Sequence, residues 1–369
     1  MSENIFFDII NFQTNSKKNS NIKSEINVKN NKFIFKTINF KEEKSSIFVE
    51  ELILNNKGQI EKLKNINLIT FNNNKENNNL KINFGKKILI SGKKYDSTYL
   101  LKILSEKNKS NLLENLNNEV EINIDTLITR TKIPLNNFYL IGSVKRGKFD
   151  MISSKSEFSE DKYLDVSLKK YQNNKKILEI YSDSPNALLD NYKFFEGIKD
   201  GKLLYNSIID ETGSVSKLTI ENFKVIKAPA LATLLTLADL GGIADLLSGQ
   251  GMSFEFLEIN LKENSNVTTV EEILALGSSV SLHMKGYIEK KTGLISLSGT
   301  LVPAKTLNSL VSKIPVIGNI LVGDKIGDGV FGVSFKMKGL PGKIKTTVNP
   351  VKTITPRFIT RAFEKMKKN

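Results

Sequence analysis

The chain of 369 residues has no cysteine, no tryptophan and a single histidine, His283. Without cysteine there can be no disulfide, no thiolate nucleophile and no Cys-bound metal. One histidine cannot make a multi-His metal site, and a Ser/His or Cys/His catalytic arrangement would have to run through that one ring. Proline is also scarce: of the eight present, only Pro134 precedes Ser184. No run of about 20 uncharged apolar residues occurs, so no segment reads as a membrane-spanning helix. The nearest stretch, 228–247, is interrupted by Asp239, Gly241, Gly242 and Asp245. Residues 1–15 have no basic start, no long apolar run and no small-residue cleavage site, so they do not read as a signal peptide.

Charge is the main thing the sequence has in excess: 54 Lys+Arg against 39 Asp+Glu, a formal net charge of +15. A basic balance suits an anionic partner, either nucleic acid or an anionic membrane surface. The lysines are dispersed and are not interleaved with aromatics in a compact patch, so no nucleic-acid partner is expected. The composition divides the chain into 1–183, rich in Asn and Lys, and 184–369, which holds the other prolines and most of the glycines.

Short apolar or alternating runs make both halves β-rich. In the first, Ile47–Leu54, Ile66–Phe71, Leu80–Phe84, Glu119–Ile128 and Phe138–Val144 read as successive strands, with Asn72–Asn74 and Asn77–Asn79 as breaks. In the second, Val280, Leu282 and Met284 alternate with Ser281 and His283. Phe331, Val333, Phe335 and Met337 alternate with Gly332, Ser334 and Lys336. Such strands form a sheet with one dry and one wet face. The helices are few and short, so the dry face must either close on itself as a sandwich or curl around something apolar that is not protein.

No catalytic constellation emerges. Residues 323–329 (Gly-Asp-Lys-Ile-Gly-Asp-Gly) lack the Gly-Lys-Ser/Thr ending of a phosphate loop and the acidic spacing of a calcium hand, and read as a turn. His283 reads as a structural histidine, and Glu42–Glu43 and Glu271–Glu272 as solvated faces or helix starts. Three segments remain. The helix around 229–247 carries Leu231, Leu234, Leu235, Leu237 and Leu240, apolar nearly all round. Residues 307–322 include Ile314, Ile317, Ile320 and Leu321 and are broken by Pro315 and Gly318. The tail from Pro356 reads as a basic amphipathic helix, with Phe358, Ile359 and Phe363 on one side and Arg361, Lys365 and Lys368 toward the other, the signature of a membrane-surface element or of a docked helix with a solvated face.

These segments follow an order that resembles a known family. Gly299-Thr-Leu-Val-Pro303, Leu307-Asn308, Ile314-Pro-Val-Ile-Gly318, Leu321-Val-Gly323, Asp328-Gly-Val-Phe-Gly332, Val348-Asn-Pro350 and Pro356-Arg-Phe358 come in one series. It is similar to the AsmA-like C-terminal region of the AsmA/YhdP/TamB family of Gram-negative envelope proteins. Phe223–Ala230 and Gly251–Phe254 fit as well, so the resemblance covers about 184–363. It implies a mainly β fold: a long curled antiparallel sheet forming a groove (a β-taco), with a few short apolar and amphipathic helices, the first half continuing the groove. It implies a non-enzymatic protein of the periplasm or cell envelope, membrane-associated, that binds phospholipid and passes it between inner and outer membranes without a cofactor or metal. The alternative is a structural or assembly factor that pairs with an outer-membrane protein.

Lipid or membrane contact would fall to Leu231, Leu234, Leu235, Leu237, Leu240, Leu282, Met284, Ile314, Ile317, Ile320, Leu321, Phe331, Val333, Phe335, Met337, Phe358, Ile359 and Phe363. Anionic headgroups would meet Arg357, Arg361, Lys365 and Lys368. Expected partners are phospholipid, a membrane surface, and an outer-membrane protein or an upstream anchored segment. Two departures from the family stand out. The N-terminal anchor is missing, which predicts a fragment, a split gene or a shortened relative. A proline expected before the Val-Asn-Pro strand is replaced around Lys343-Ile344.

Overall fold

The computed structural model of the chain describes residues 4–15, 17–100, 113–131, 133–189, 197–226, 229–238, 240, 250–303 and 332–351. It is mainly β, built from long, mostly antiparallel strand runs with two short helices and one 3-10 turn among the described residues. Two compact units divide between Lys170 and Tyr171, somewhat ahead of the compositional shift at Ser184.

The first unit opens with two short paired strands, β1 (Phe6–Phe7) and β2 (Phe12–Gln13), joined by the 3-10 turn Asp8–Ile10. Its sheet then runs β3 (Ser20–Lys29), β4 (Lys32–Glu42), β5 (Ser45–Leu54), β6 (Ile60–Lys62), β7 (Asn65–Asn72), β8 (Lys75–Phe84), β9 (Lys87–Asp96), β10 (Glu119–Ile128), β11 (Leu135–Lys145), β12 (Lys148–Ser159) and β13 (Lys162–Lys170). Neighbours pair antiparallel, and β7 reaches past the short β6 to pair with β5. One pair, β9 with β10, is parallel.

Asparagine explains two of the tight turns. Asn30 and Asn31 turn β3 into β4, and Asn73 and Asn74 turn β7 into β8, all four with positive φ. A two-residue hairpin loop with both residues left-handed matches the strand twist, and asparagine tolerates that region better than most side chains. Asn77–Asn79, expected as a break, instead lies inside β8. There Asn78 is fully buried and hydrogen-bonded on both sides of its amide.

The second unit is an antiparallel meander: β14 (Lys176–Ser182), β15 (Ile198–Ile209), β16 (Gly213–Val225), β17 (Met252–Asn264), β18 (Val267–Gly277), β19 (Val280–Glu289), β20 (Ile295–Pro303), β21 (Gly332–Gly339) and β22 (Lys345–Val351). The helices Pro185–Leu189 and Pro229–Leu237 interrupt it. Its dry face is a filled core. Leu203, Ile220, Leu257, Ile259, Ile273, Met284, Leu301, Phe335 and Met337 pack with Leu234 and Leu235 of the second helix. The Pro185–Leu189 helix adds Leu188 and Leu189 at the margin.

β18 corrects the reading of Glu271–Glu272 as a solvated face. Glu272 is buried in a central strand, and only Glu271 is exposed. Glu42 is buried as well. It accepts hydrogen bonds from the Ser20 hydroxyl and the Asn15 amide.

Candidate functional site

The strand registers of the first unit line up three apolar rows on one face. Side chains directly opposite each other across strands share a face. The middle row is Ile38, Val49, Ile66, Ile82, Ile90, Ile122, Leu140, Ser154 and Val166, one residue from each of nine strands. At roughly 4.8 Å per strand step it extends about 38 Å along the sheet. A second row runs Phe40, Ile47, Leu68, Leu80, Gly92, Ile124 and Phe138. A third runs Phe84, Ile88, Val120, Gly142, Ile152 and Leu168.

Coverage differs from row to row. In the second row Phe40, Leu68, Leu80 and Ile124 are buried, and in the third so are Ile88 and Val120. In the middle row Ile38, Val49, Ile66, Ile82, Ile90 and Ile122 are only half-buried, while Leu140 and Ser154 farther along it are buried. Apolar side chains partly open to solvent on an otherwise dry face are a surface that an apolar ligand can complete.

The segment Phe6–Gln13 closes one end of this face. Phe12 is fully buried. Its ring lies 5.8 Å from that of Phe7 and 5.9 Å from that of Phe40. The strap's backbone is tied down by side-chain amides. Asn78 Nδ2 donates to the Ile10 carbonyl at 2.6 Å, while Asn77 and Asn72 donate to that of Asn11 at 3.0 and 2.7 Å. Asn11 in turn donates to Asp96 at 2.9 Å. The Tyr95 hydroxyl donates to the Ile9 carbonyl at 3.0 Å. Burial, with the charge of Asp96 beside it, pushes that phenol's pKa up. This latch gave no sequence signal beyond its asparagines, which resemble turn residues.

In the second unit the polar face carries its own cluster. Registers place Lys285, Ser298, Lys336 and Thr347 in one row and His283, Thr300 and Ser334 in the next. They line a cavity of about 540 Å³, with Glu271 at its margin. His283 Nε2 lies 3.2 Å from Glu272 Oε1, and both are largely buried. Further along the same face Glu258 is buried and meets Lys217 at 2.9 Å and the Asn260 amide at 3.1 Å. Lys217 thus compensates the buried charge of Glu258, as buried charges require, and the His283 ring is a hydrogen-bond partner of Glu272. Among the described residues no group of three His, Asp or Glu side chains is placed to hold a metal ion.

The residues expected to touch lipid divide three ways. Leu234, Leu235, Met284, Val333, Phe335 and Met337 are buried among protein side chains, so the surface they would offer is already covered by the second unit itself. Leu231, Leu240 and Leu282 are half-buried at the margin of that core, and Leu237 is exposed. Ile314, Ile317, Ile320, Leu321, Phe331, Phe358, Ile359 and Phe363, with Arg357, Arg361, Lys365 and Lys368, lie outside the described residues. No described helix is long and apolar enough to cross a membrane.

The fold and the rows together define a mainly β protein whose first unit has a part-covered apolar face and whose second unit is self-filled. Comparison of the chain with protein-family models, curated proteins and solved structures finds no match.

Proposed function

We propose that the chain is a non-enzymatic, envelope-located lipid binder that holds phospholipid acyl chains against the apolar face of a grooved sheet and helps move lipid between the inner and outer membranes. The observation that carries this reading is the half-buried middle row from Ile38 to Ile122, flanked by rows that include the buried Leu68, Leu80, Ile124, Ile88 and Val120 and latched at one end by Phe6–Gln13. Acyl chains lying on it would gain about 0.8 kcal/mol per buried methylene. A nonspecific apolar contact needs no polar recognition residues within the row, and the row contains only Ser154. The dispersed positive charge supports contact with anionic headgroups.

The test is purification in mild detergent followed by lipid extraction and mass spectrometry, with photo-crosslinking residues at positions 90 and 122 and, as control, at the exposed Leu89. Phospholipid adducts at 90 and 122 but not at 89 support the proposal. Lipid-free protein, or equal adducts at all three positions, sinks it. The second reading, an assembly factor that pairs through a sheet edge with an outer-membrane protein, is favoured by the exposure of β3 along its whole length. Protein adducts at β3 without lipid adducts at positions 90 and 122 would select it.

A further inference from the structure

β3 is exposed at all ten of its residues, and the described registers join it to β4 alone. Its even positions, Ile22, Ser24, Ile26 and Val28, lie opposite Phe40, Ile38, Phe35 and Phe33. Ile22, Ile26 and Val28 are 58%, 54% and 68% exposed. Apolar side chains on an outer strand are a pairing hazard that proteins usually blunt with lysine. Lys23 and Lys29 are present, but Glu25 lies between them.

The sequence of this strand is complementary to itself in one antiparallel register. If Ser24 lies opposite Ser24 of a second copy, Ile22 meets Ile26 twice and Lys23 meets Glu25 twice. Asn21 then faces Asn27, and Ser20 faces Val28. Sliding by two positions in either direction puts Lys23 opposite Lys23 or Glu25 opposite Glu25, and like charges directly opposite are destabilising. Sliding by one position would join the apolar side of one copy to the polar side of the other. Charge and apolar pattern therefore select the same register.

We infer that two copies of this chain pair edge to edge through β3, about a two-fold axis at Ser24, so that the exposed backbone groups of both edges are satisfied. Such an isologous contact closes on itself and does not propagate into fibres. It also makes the apolar rows of two first units continuous across the dimer, but the pairing does not depend on what those rows bind. Within one copy Glu25 already lies 3.4 Å from Lys36, but both side chains are largely exposed, so this pair leaves the carboxylate available.

The chain has no cysteine, so Ser24→Cys places the only thiol at the axis. A short bis-maleimide should convert Ser24→Cys to a covalent dimer, and Val28→Cys, whose opposite residue would be Ser20, far less. In sedimentation, Lys23→Glu should weaken the dimer about tenfold or more. Glu25→Lys should do the same, and the double variant Lys23→Glu/Glu25→Lys should recover most of the loss. The single variants change only exposed side chains, and circular dichroism confirms that they fold. A wild-type chain that stays monomeric at about 100-fold above a micromolar working range would overturn the inference. So would cross-linking no stronger at 24 than at 28, or a double variant no better than the singles.

Discussion

Asn78→Ala tests whether the buried amides hold the N-terminal strap. Asn78 is fully buried. Its Nδ2 donates to the Ile10 carbonyl at 2.6 Å and to Thr70 Oγ1 at 2.8 Å, and its Oδ1 accepts from the Asp96 amide at 2.8 Å. Each such bond is worth about 1 kcal/mol net, and a partner left unsatisfied away from water costs about 1–3 kcal/mol. Asn77 also reaches the Ile10 carbonyl at 3.4 Å, and the Thr70 hydroxyl still donates to Asn77. The Asp96 amide alone is left bare. The sum is about 3–5 kcal/mol. For a unit of this size that corresponds to roughly 6–20 °C in Tm. Hydrogen exchange should show the Asn11 and Thr14 amides, bonded to Asp8 and Ile5, losing protection well before the strands do. Asn78→Asp keeps the acceptor but cannot donate to Ile10, and it adds a charge next to Asp96. It should be worse than alanine at neutral pH and improve when acidified. A Tm within 2 °C of wild type together with unchanged strap protection would refute the latch.

Asp210, in the turn between β15 and β16, accepts from the Thr212 hydroxyl and amide and from the Gly213 amide, and lies 3.2 Å from Lys175. The Thr212 bonds, foremost, hold its pKa well below the usual carboxylate range. A depressed folded pKa contributes stability that is complete above the unfolded value of about 3.9 and is lost as pH falls toward the folded one. Asp210→Asn should therefore flatten acid unfolding below about pH 4, and carbon NMR should find Asp210 still ionised there. Gly299→Ala should destabilise the second unit by about 1–3 kcal/mol, because its Cβ would lie 2.2 Å from the His283 carbonyl and 2.8 Å from Phe335. Chemical denaturation of the variant checks the size.

Strand existence was legible wherever period-two alternation was clean. Val280–Met284 and Val333–Met337 are examples, and the helix Pro229–Leu237 was marked by its proline and leucines. Two long strands were hidden, for different reasons. β18 contains a bulge: Val270 pairs with Leu261 and Glu272 with Asn260, so Glu271 is an extra residue and Val270 and Ile273 fall on one face three positions apart. Alternation broken in this way looks like a charged loop. β3 alternates only weakly: seven of its ten residues are polar and none is buried, so burial contributes nothing to its pattern. The buried side of Glu42, Glu272 and Asn78 was illegible for a common reason. Each is satisfied by partners distant in sequence, and composition records the polar group without its partner.

The difference between the two apolar faces leads to a test by overpacking. A close-packed core loses about 1–3 kcal/mol when a side chain is enlarged, because neighbours must leave their rotamers. Leu235 is fully buried against the second unit's sheet, so Leu235→Trp should cost that much or more. Ile90 sits in the half-buried row between Ile82 and Ile122. If that row faces open space, Ile90→Trp should fit with a change under about 0.5 kcal/mol, or a small gain from added apolar burial. Under the lipid-binding proposal it should also lower the amount of lipid that co-purifies with the protein. Equal destabilisation by the two substitutions would mean the first unit's face is as closed as the second's, and the lipid-binding proposal would lose the observation it rests on. A tolerated tryptophan with lipid content unchanged would place any bound lipid away from this row. A tolerated tryptophan with lipid lost is the outcome that ties the open row to acyl-chain binding, since no core residue has been disturbed to produce it.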